Sequence, residues 1–354
     1  MSTDSRYEAD PLVVDNVNRI LSDTCTPEAI EHAEQTGWAS TIWDPMAQAG
    51  FPWVGVPESI GGSGGSFADT AAILRAVGRH AAPIPVGETG VLAAWTLGAA
   101  GLEIPNGPAT AACPWPEVIR VDNGRVIGMA TVAWAQVAQR IVTIAAHDDG
   151  SFEVVSVTPD QVAITAGTNL AGEPRDIVTF DIALDATEHA PSPPGWSPFR
   201  LLEVGAFTRT QMAAGALARI ADMTVDYTLN RQQFGKPVAS FQLVQRHLMA
   251  VAQCSVRATM AADTALRALT DFQRVDTALT VARVVIDEAI AEGTRSAHQA
   301  HGAMGVTREY PLHQFTRRLW AWQHEYGSTA MWRRHLGRAA YANGADGLFP
   351  FIAG

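Results

Sequence analysis

Only three cysteines occur in 354 residues, Cys25, Cys113 and Cys254, far apart and without CxxC spacing. That usage excludes a disulfide framework and a cysteine zinc site, and the three are expected to be buried thiols. Basic residues are also scarce: 25 Lys and Arg stand against 36 Asp and Glu, a formal charge of −11. The acidic balance argues against nucleic acid or an anionic membrane as partner, since both require an extended basic face. An anionic small ligand stays compatible if local basic groups hold it. No run approaches the roughly 18 apolar residues of a membrane span. The opening MSTDSRYEAD carries acids and no apolar core of a signal peptide. A cytoplasmic enzyme or subunit is the expectation.

What is present is an apolar content of 47%, enough for a large core shared among two or three domains. Residues 10–105 read mainly as helices, with Ala71, Ile73, Leu74 and Val77 at near-helical spacing after the bend IGGSGGS. That bend lacks a preceding apolar strand and a Lys-Ser/Thr ending, so it reads as a turn starting a helix at Phe67 rather than as a phosphate loop. Residues 106–190 change character. VIRVDNGRVIG sets Asn123-Gly124 between Val/Ile-rich arms and predicts a hairpin. RIVTIAAHDDGSFEVVSV predicts a second, and DIVTFDIAL a further strand. The proline-rich APSPPGWSP, residues 190–198, reads as a linker. Helical patterns then return near 200–230, 238–271, 275–300, 311–326 and 329–343. This order is α+β, without the alternation of a parallel sheet. It divides as a helical domain over 1–105, a small antiparallel β domain over 106–195 and a C-terminal four-helix bundle over 196–354.

Three segments carry chemistry. In NRQQFGKPVASFQ, Pro237 forbids a helical hydrogen bond and Gly235 opens backbone angles closed to other residues, so one helix stops and another starts close by. Arg231 and Lys236 then lie near a helix junction suited to a pyrophosphate, although composition alone favours a solvated turn. In HQAHGAMGV, Gly302 and Gly305 break a helix whose end carries Gln299, an amide able to donate and accept. The pair His298/His301 has no acidic ligand nearby in sequence and argues little for a metal. In RRLWAWQHEYGSTAMWRR, Gly327 and Ser328 stop one helix, and Ser328 or Thr329 can cap the next. Glu325, flanked by Trp320, Trp322 and Tyr326, is either a desolvated base or an exposed helix-end carboxylate.

Taken in order and spacing, GFPWVGVPESIGGSGGSFADTAAILRAVGR, RQQFGKP with Phe241-Gln242, QAHGAMGVTREYP and the Glu325 segment resemble the acyl-CoA dehydrogenase family of flavoproteins. The resemblance covers most of the chain. It implies a helical domain, a β domain and a four-helix bundle, and α,β-dehydrogenation of an acyl-CoA thioester. In that reaction a glutamate takes the α-proton and hydride passes to FAD. It also implies that FAD lies across a subunit interface, with Arg231, Phe234, Gly235 and Gln242 gripping the diphosphate of a neighbour's cofactor. Gln299, Gly302 and Gly305 match residues at the adenylate end, and Ser328 joins this set.

The sequence departs from the family pattern around the chemistry. The base usually sits in Tyr-Glu-Gly-Thr, whereas this chain reads Glu325-Tyr326-Gly327-Ser328, one residue early. On a helix, one residue is about 100° of rotation. The alternative position, a glutamate before an arginine in the first bundle helix, holds Thr208-Arg209. The Thr-Glu…Gly-Ser-Asp loop has no match, since ATAACPWPEVIR runs directly into the first strand. The Trp-Ile-Thr/Ser segment is missing too, with Thr131 and Trp134 in a loosely similar area. The expectation is a short subunit, resembling that of actinobacterial steroid side-chain enzymes, paired α2β2 with a longer homologous subunit. An acyl-CoA substrate and an electron-transfer flavoprotein acceptor go with it. The competing readings are an autonomous homo-oligomer using Glu325, and a flavin-free structural relative.

Overall fold

The computed structural model describes residues 5–271, 275–344 and 346–348. The chain divides into two compact units, residues 1–208 and 209–354.

In the first unit, helices α1 (Pro11–Thr24), α2 (Pro27–Thr36), α3 (Ser40–Gln48), α4 (Phe67–Arg79) and α5 (Trp95–Ala100) precede the sheet. Their starts follow capping chemistry. Asp10 accepts from Leu12 N and Thr26 from Ala29 N, each followed by a proline in the first helical turn. The glycine-rich bend ends in a capping box, in which Ser66 Oγ accepts from Asp69 N and Asp69 Oδ2 accepts from Ser66 N. Asp69 Oδ1 also accepts from Asp10 N at 2.7 Å. The N–H groups of Ser66 and Asp69 are thus already engaged by side chains, and helix α4 begins at Phe67 as the sequence predicts. Its residues Ala71, Ile73, Leu74 and Val77 are all buried. A π-helical segment, Gly87–Ala94, runs straight into α5. It packs so closely on the backbone that a Cβ at Gly90 would lie 2.0 Å from Pro52 O.

The sheet has strands β1 (Ala109–Ala112), β2 (Arg120–Asp122), β3 (Arg125–Ala133), β4 (Arg140–Ala146), β5 (Phe152–Val157), β6 (Ala163–Thr165), β7 (Arg175–Ala183) and β8 (Glu188–Pro191). Its order is β6-β7-β3-β2-β4-β5-β8, with β1 also paired to β4. Both predicted hairpins form, β2–β3 and β4–β5. Asn123 at φ 47° and Gly124 at φ 73° supply the two left-handed residues that such a turn demands. Val126, Ala130 and Val132 of β3 and Val178 and Phe180 of β7 point into one core, while Ile127, Met129 and Ile177 face outward.

Two details depart from the sequence reading. β1 forms within ATAAC and lies parallel to β4, as does β2, so the sheet is mostly rather than wholly antiparallel. Ala190 and Pro191, expected in the linker, belong to edge strand β8, where a proline costs no central ladder bond. Cys254 is buried, whereas Cys25 and Cys113 are only partly so.

The long helix α6 (Pro198–Asn230) leads into the second unit, followed by a two-stranded ribbon of β9 (Gln232–Gln233) and β10 (Lys236–Pro237). Then come α7 (Gln242–Asp271), α8 (Val275–His301), α9 (Leu312–Trp322) and α10 (Thr329–Ala342). Among the described residues, no helix is long and apolar enough to cross a membrane.

Candidate functional site

The Arg231 segment is more than a turn. Gln232–Gln233 and Lys236–Pro237 pair antiparallel, and Phe234 at φ 52° and Gly235 at φ 77° close a two-residue hairpin of the primed kind. Its base is tied to α6, since Arg231 N donates to Tyr227 O and Val238 N to Arg231 O, both at 2.8 Å. Arg231, Gln232, Gln233, Lys236 and Gln242 are exposed. Phe234 is 92% exposed, its ring centre 6.1 Å from that of Phe241 and its plane at 78° to it. Lys236 Nζ lies 4.4 Å from the Phe241 ring centre.

The glycine segment follows the end of α8. Gln299 is exposed, and Gly302 turns the chain at φ 61°. A Cβ at the buried Gly305 would sit 2.9 Å from His301 Cβ and 3.2 Å from His298 O. Among the described residues, no group of three or more His, Cys, Asp or Glu could hold a metal ion. His298 Nε2 meets Thr316 Oγ1 at 3.1 Å, and His301 Nδ1 donates to Ala297 O at 2.8 Å. Burial lowers the pKa of both from the ordinary histidine value.

The third segment differs from its sequence reading. The expectation of helix to 326 fails, because α9 ends at Trp322. Glu325 therefore lies in a turn, and the argument from helical rotation does not apply to it. Tyr326 at φ 53° and Gly327 at φ 96° set its direction. Arg283 of α8, fully buried, stops the helix: its Nη2 donates to the carbonyls of Trp322 (2.7 Å), Gln323 (2.8 Å) and Glu325 (3.2 Å). Asp287, one turn along α8, accepts from Thr329 Oγ1 at 2.6 Å. Arg283 and Asp287 thus fasten both ends of the turn to α8. Burial lowers the pKa of the Arg283 guanidinium and raises that of the Asp287 carboxyl, each opposed by the charge of the other. Ser328 is the N-cap of α10, its hydroxyl accepting from Met331 N at 3.2 Å.

Inside this turn Glu325 Oε2 accepts from Arg209 Nε at 2.7 Å, with side chains 15% and 1% exposed. The Arg209 guanidinium also lies 5.2 Å from the Tyr326 ring centre and 6.0 Å from that of Trp322. The aromatic surroundings seen in sequence therefore enclose an ion pair rather than a lone carboxylate. Arg209, Arg283 and Asp287 went unrecognised as partners of this turn because they lie 116, 42 and 42 residues from the groups they meet.

In the first unit, Thr131 is exposed on the sheet, whereas Trp134, at φ 50°, is buried with the Arg175 guanidinium 4.9 Å from its ring centre. Trp134 is a core residue rather than an aromatic cover.

The description "Acyl-CoA dehydrogenase, N-terminal domain" matches residues 8–103, and "Acyl-CoA dehydrogenase, C-terminal domain" matches residues 199–341. The chain is 26% identical over 309 residues to acyl-CoA dehydrogenase FadE28 of Mycobacterium tuberculosis, covering 77% of this chain and 84% of that protein. Its fold is similar to that of a chain in the ChsE4-ChsE5 complex of Mycobacterium tuberculosis, with a TM-score of 0.86, 23% identity, and 96% and 98% of the two chains covered. It is also similar to a chain of the Tcur3481-Tcur3483 steroid ACAD, with a TM-score of 0.81, 22% identity, and 94% and 98% covered. With both domains matched in order over most of its length, the chain belongs to the acyl-CoA dehydrogenase family.

Proposed function

We propose that this chain is the short subunit of an FAD-dependent acyl-CoA dehydrogenase. It lends a dinucleotide clasp to a cofactor whose ring, catalytic base and acyl pocket belong to a longer homologous partner, in an α2β2 assembly. The observation that carries this reading is the Arg209–Glu325 pair. A general base must bring a free lone pair within reach of the proton it takes. The Glu325 carboxylate instead has its Oε2 bound to a buried guanidinium, so turning it toward a substrate proton means giving up or distorting that contact.

The residues fit FAD on the clasp side. An exposed arginine at a hairpin base suits a diphosphate oxygen, an exposed Gln299 amide can donate to or accept from an adenylate, and the exposed Gly302 lets a ligand approach the backbone, while the buried Gly305 lets the loop pack on His301. When bound, FAD supplies the hydride acceptor of an α,β-dehydrogenation. This chain's part is to grip and orient the dinucleotide. The assembly also has a surface to use: Met249, Val256 and Met260 share one exposed face of α7, an apolar stripe that a partner subunit covers. A CoA thioester of a steroid side chain is the proposed substrate and an electron-transfer flavoprotein the proposed acceptor. The two-component solved relatives and the one described as a steroid ACAD support this choice.

Native mass spectrometry with flavin absorbance tests the reading. Co-expressed with a longer homologous subunit, the assembly is expected to hold about two FAD for four chains. The chain alone is expected to be colourless and prone to aggregate. One FAD per chain in a homo-oligomer of this protein would overturn the proposal.

Glu325→Gln provides a second check. Glutamine keeps an oxygen that can accept from Arg209, so the assembly should retain most of its turnover. A fall of about a hundredfold or more, as expected when a general base is removed, would instead make Glu325 the base.

A further inference from the structure

The two clasp segments are separated by roughly 70 residues of sequence, yet three aromatic rings join them. Tyr227, whose carbonyl receives Arg231 N–H, stacks on His301 with centroids 4.5 Å apart and planes 24° from parallel. Tyr310 covers His301 at 4.8 Å and meets Tyr227 edge-on at 5.3 Å. Tyr310 is itself anchored, its hydroxyl donating to Met223 O at 3.1 Å. His301 immediately precedes Gly302, the residue that turns the glycine loop, and its Cβ is the atom that a side chain at Gly305 would strike.

The tautomer follows from the partner. A carbonyl can only accept, so Nδ1 carries the proton toward Ala297 O and Nε2 is left bare. Nε2 is buried without a hydrogen-bond partner among the described residues.

We propose that His301 is the positioning residue of the clasp: its neutral ring couples the Arg231 hairpin to the Gly302–Gly305 loop, and the assembly loosens its hold on flavin when that ring takes up a proton. This rests on the proposed role of the chain as the dinucleotide clasp. A proton added at Nε2 places a charge and a new donor at a buried atom that has no hydrogen-bond partner among the described residues.

The surroundings do not offset this. On α6, Arg219 and Asp226 lie near Tyr310 with opposing signs. On α8, His298 acts against a second positive charge. On α9, His313 Nδ1 is directed to Tyr310 O at 3.1 Å and brings no negative charge. Burial, the largest cause, lowers the pKa of His301 from its ordinary value of 6.5. A base so shifted binds fewer protons folded than unfolded. The stability it contributes is therefore complete above about pH 6.5 and is lost as pH falls through the lower folded value.

Flavin release from the co-purified assembly, followed by fluorescence from about pH 7.5 to 5.0, tests the coupling. In the wild type, release should rise by about threefold or more across that range. His301→Phe keeps the ring stack without a titrating group and should give a flat profile, while His298→Asn should retain the acid-dependent rise. A wild type indifferent to pH, or a His301→Phe variant as acid-sensitive as the wild type, would overturn the proposal.

Hydrogen exchange of peptides 225–237 and 299–306, corrected for intrinsic rates, separates this from the clasp reading itself. If the assembly binds no flavin, the clasp reading fails. The coupling then stands only if both peptides lose protection together on acidification in the wild type and not in His301→Phe.

Discussion

Arg231→Ala in the assembled complex is expected to release FAD roughly ten- to hundredfold more readily than the wild type, with helical content unchanged. That is the range for one lost charge-assisted contact. The guanidinium lies at the base of a hairpin whose own hydrogen bonds use backbone atoms, from Arg231 N to Tyr227 O and from Val238 N to Arg231 O. Truncating the side chain therefore removes the proposed anion contact and leaves the local fold standing. Arg231→Lys should lie between the two, because an ammonium keeps the charge and loses the fork. Equilibrium dialysis against free flavin, with circular dichroism as control, measures both quantities. Unchanged flavin occupancy would reduce the segment to a helix connection.

The largest effect on stability is expected at Arg283. Its side chain is fully buried and one nitrogen donates to three carbonyls beyond the end of α9. Arg283→Ala removes one donor from these carbonyls, although Trp322 O still receives Glu325 N–H, and takes the neighbouring cation from Asp287; it should cost about 3–5 kcal/mol in denaturant unfolding. Arg283→Lys should recover part of this, since an ammonium can serve some of the three carbonyls. An unchanged unfolding midpoint in Arg283→Ala would mean that α9 ends for other reasons.

Local chemistry was legible in the sequence, and so was whatever a local signal fixes. Asn123-Gly124 specified its hairpin because few residue pairs tolerate two left-handed conformations in succession. Ser66 and Asp69 started α4 through contacts three residues apart. β1 was missed because four small residues, Ala109–Ala112, show no alternation and gain their place only by lying beside β4. The bundle's helical spans were close to their observed limits except at α9, where the stop comes from an arginine about 40 residues earlier. Within the candidate site, glycine and arginine mark the proposed clasp, since each meets a backbone or charge requirement that few residues satisfy. The partner of Glu325 was hidden. In the sequence, Arg209 merely follows an unsuitable threonine, and nothing local announces a pairing across 116 positions.

In the proposed assembly, the hairpin tip also bears on how fast subunits meet. Phe234, almost wholly exposed, sits in a left-handed conformation that a non-glycine residue adopts at some cost, held there by the ribbon on either side and by Gly235. A loop that had to fold on contact would lose conformational entropy at that moment and slow the approach. Here the ribbon already places the ring at its tip, so less ordering is left for the encounter itself. Association through this tip should then proceed at the rate set by diffusion and orientation, and substitutions that keep the ribbon intact should alter how long the complex lasts more than how quickly it forms.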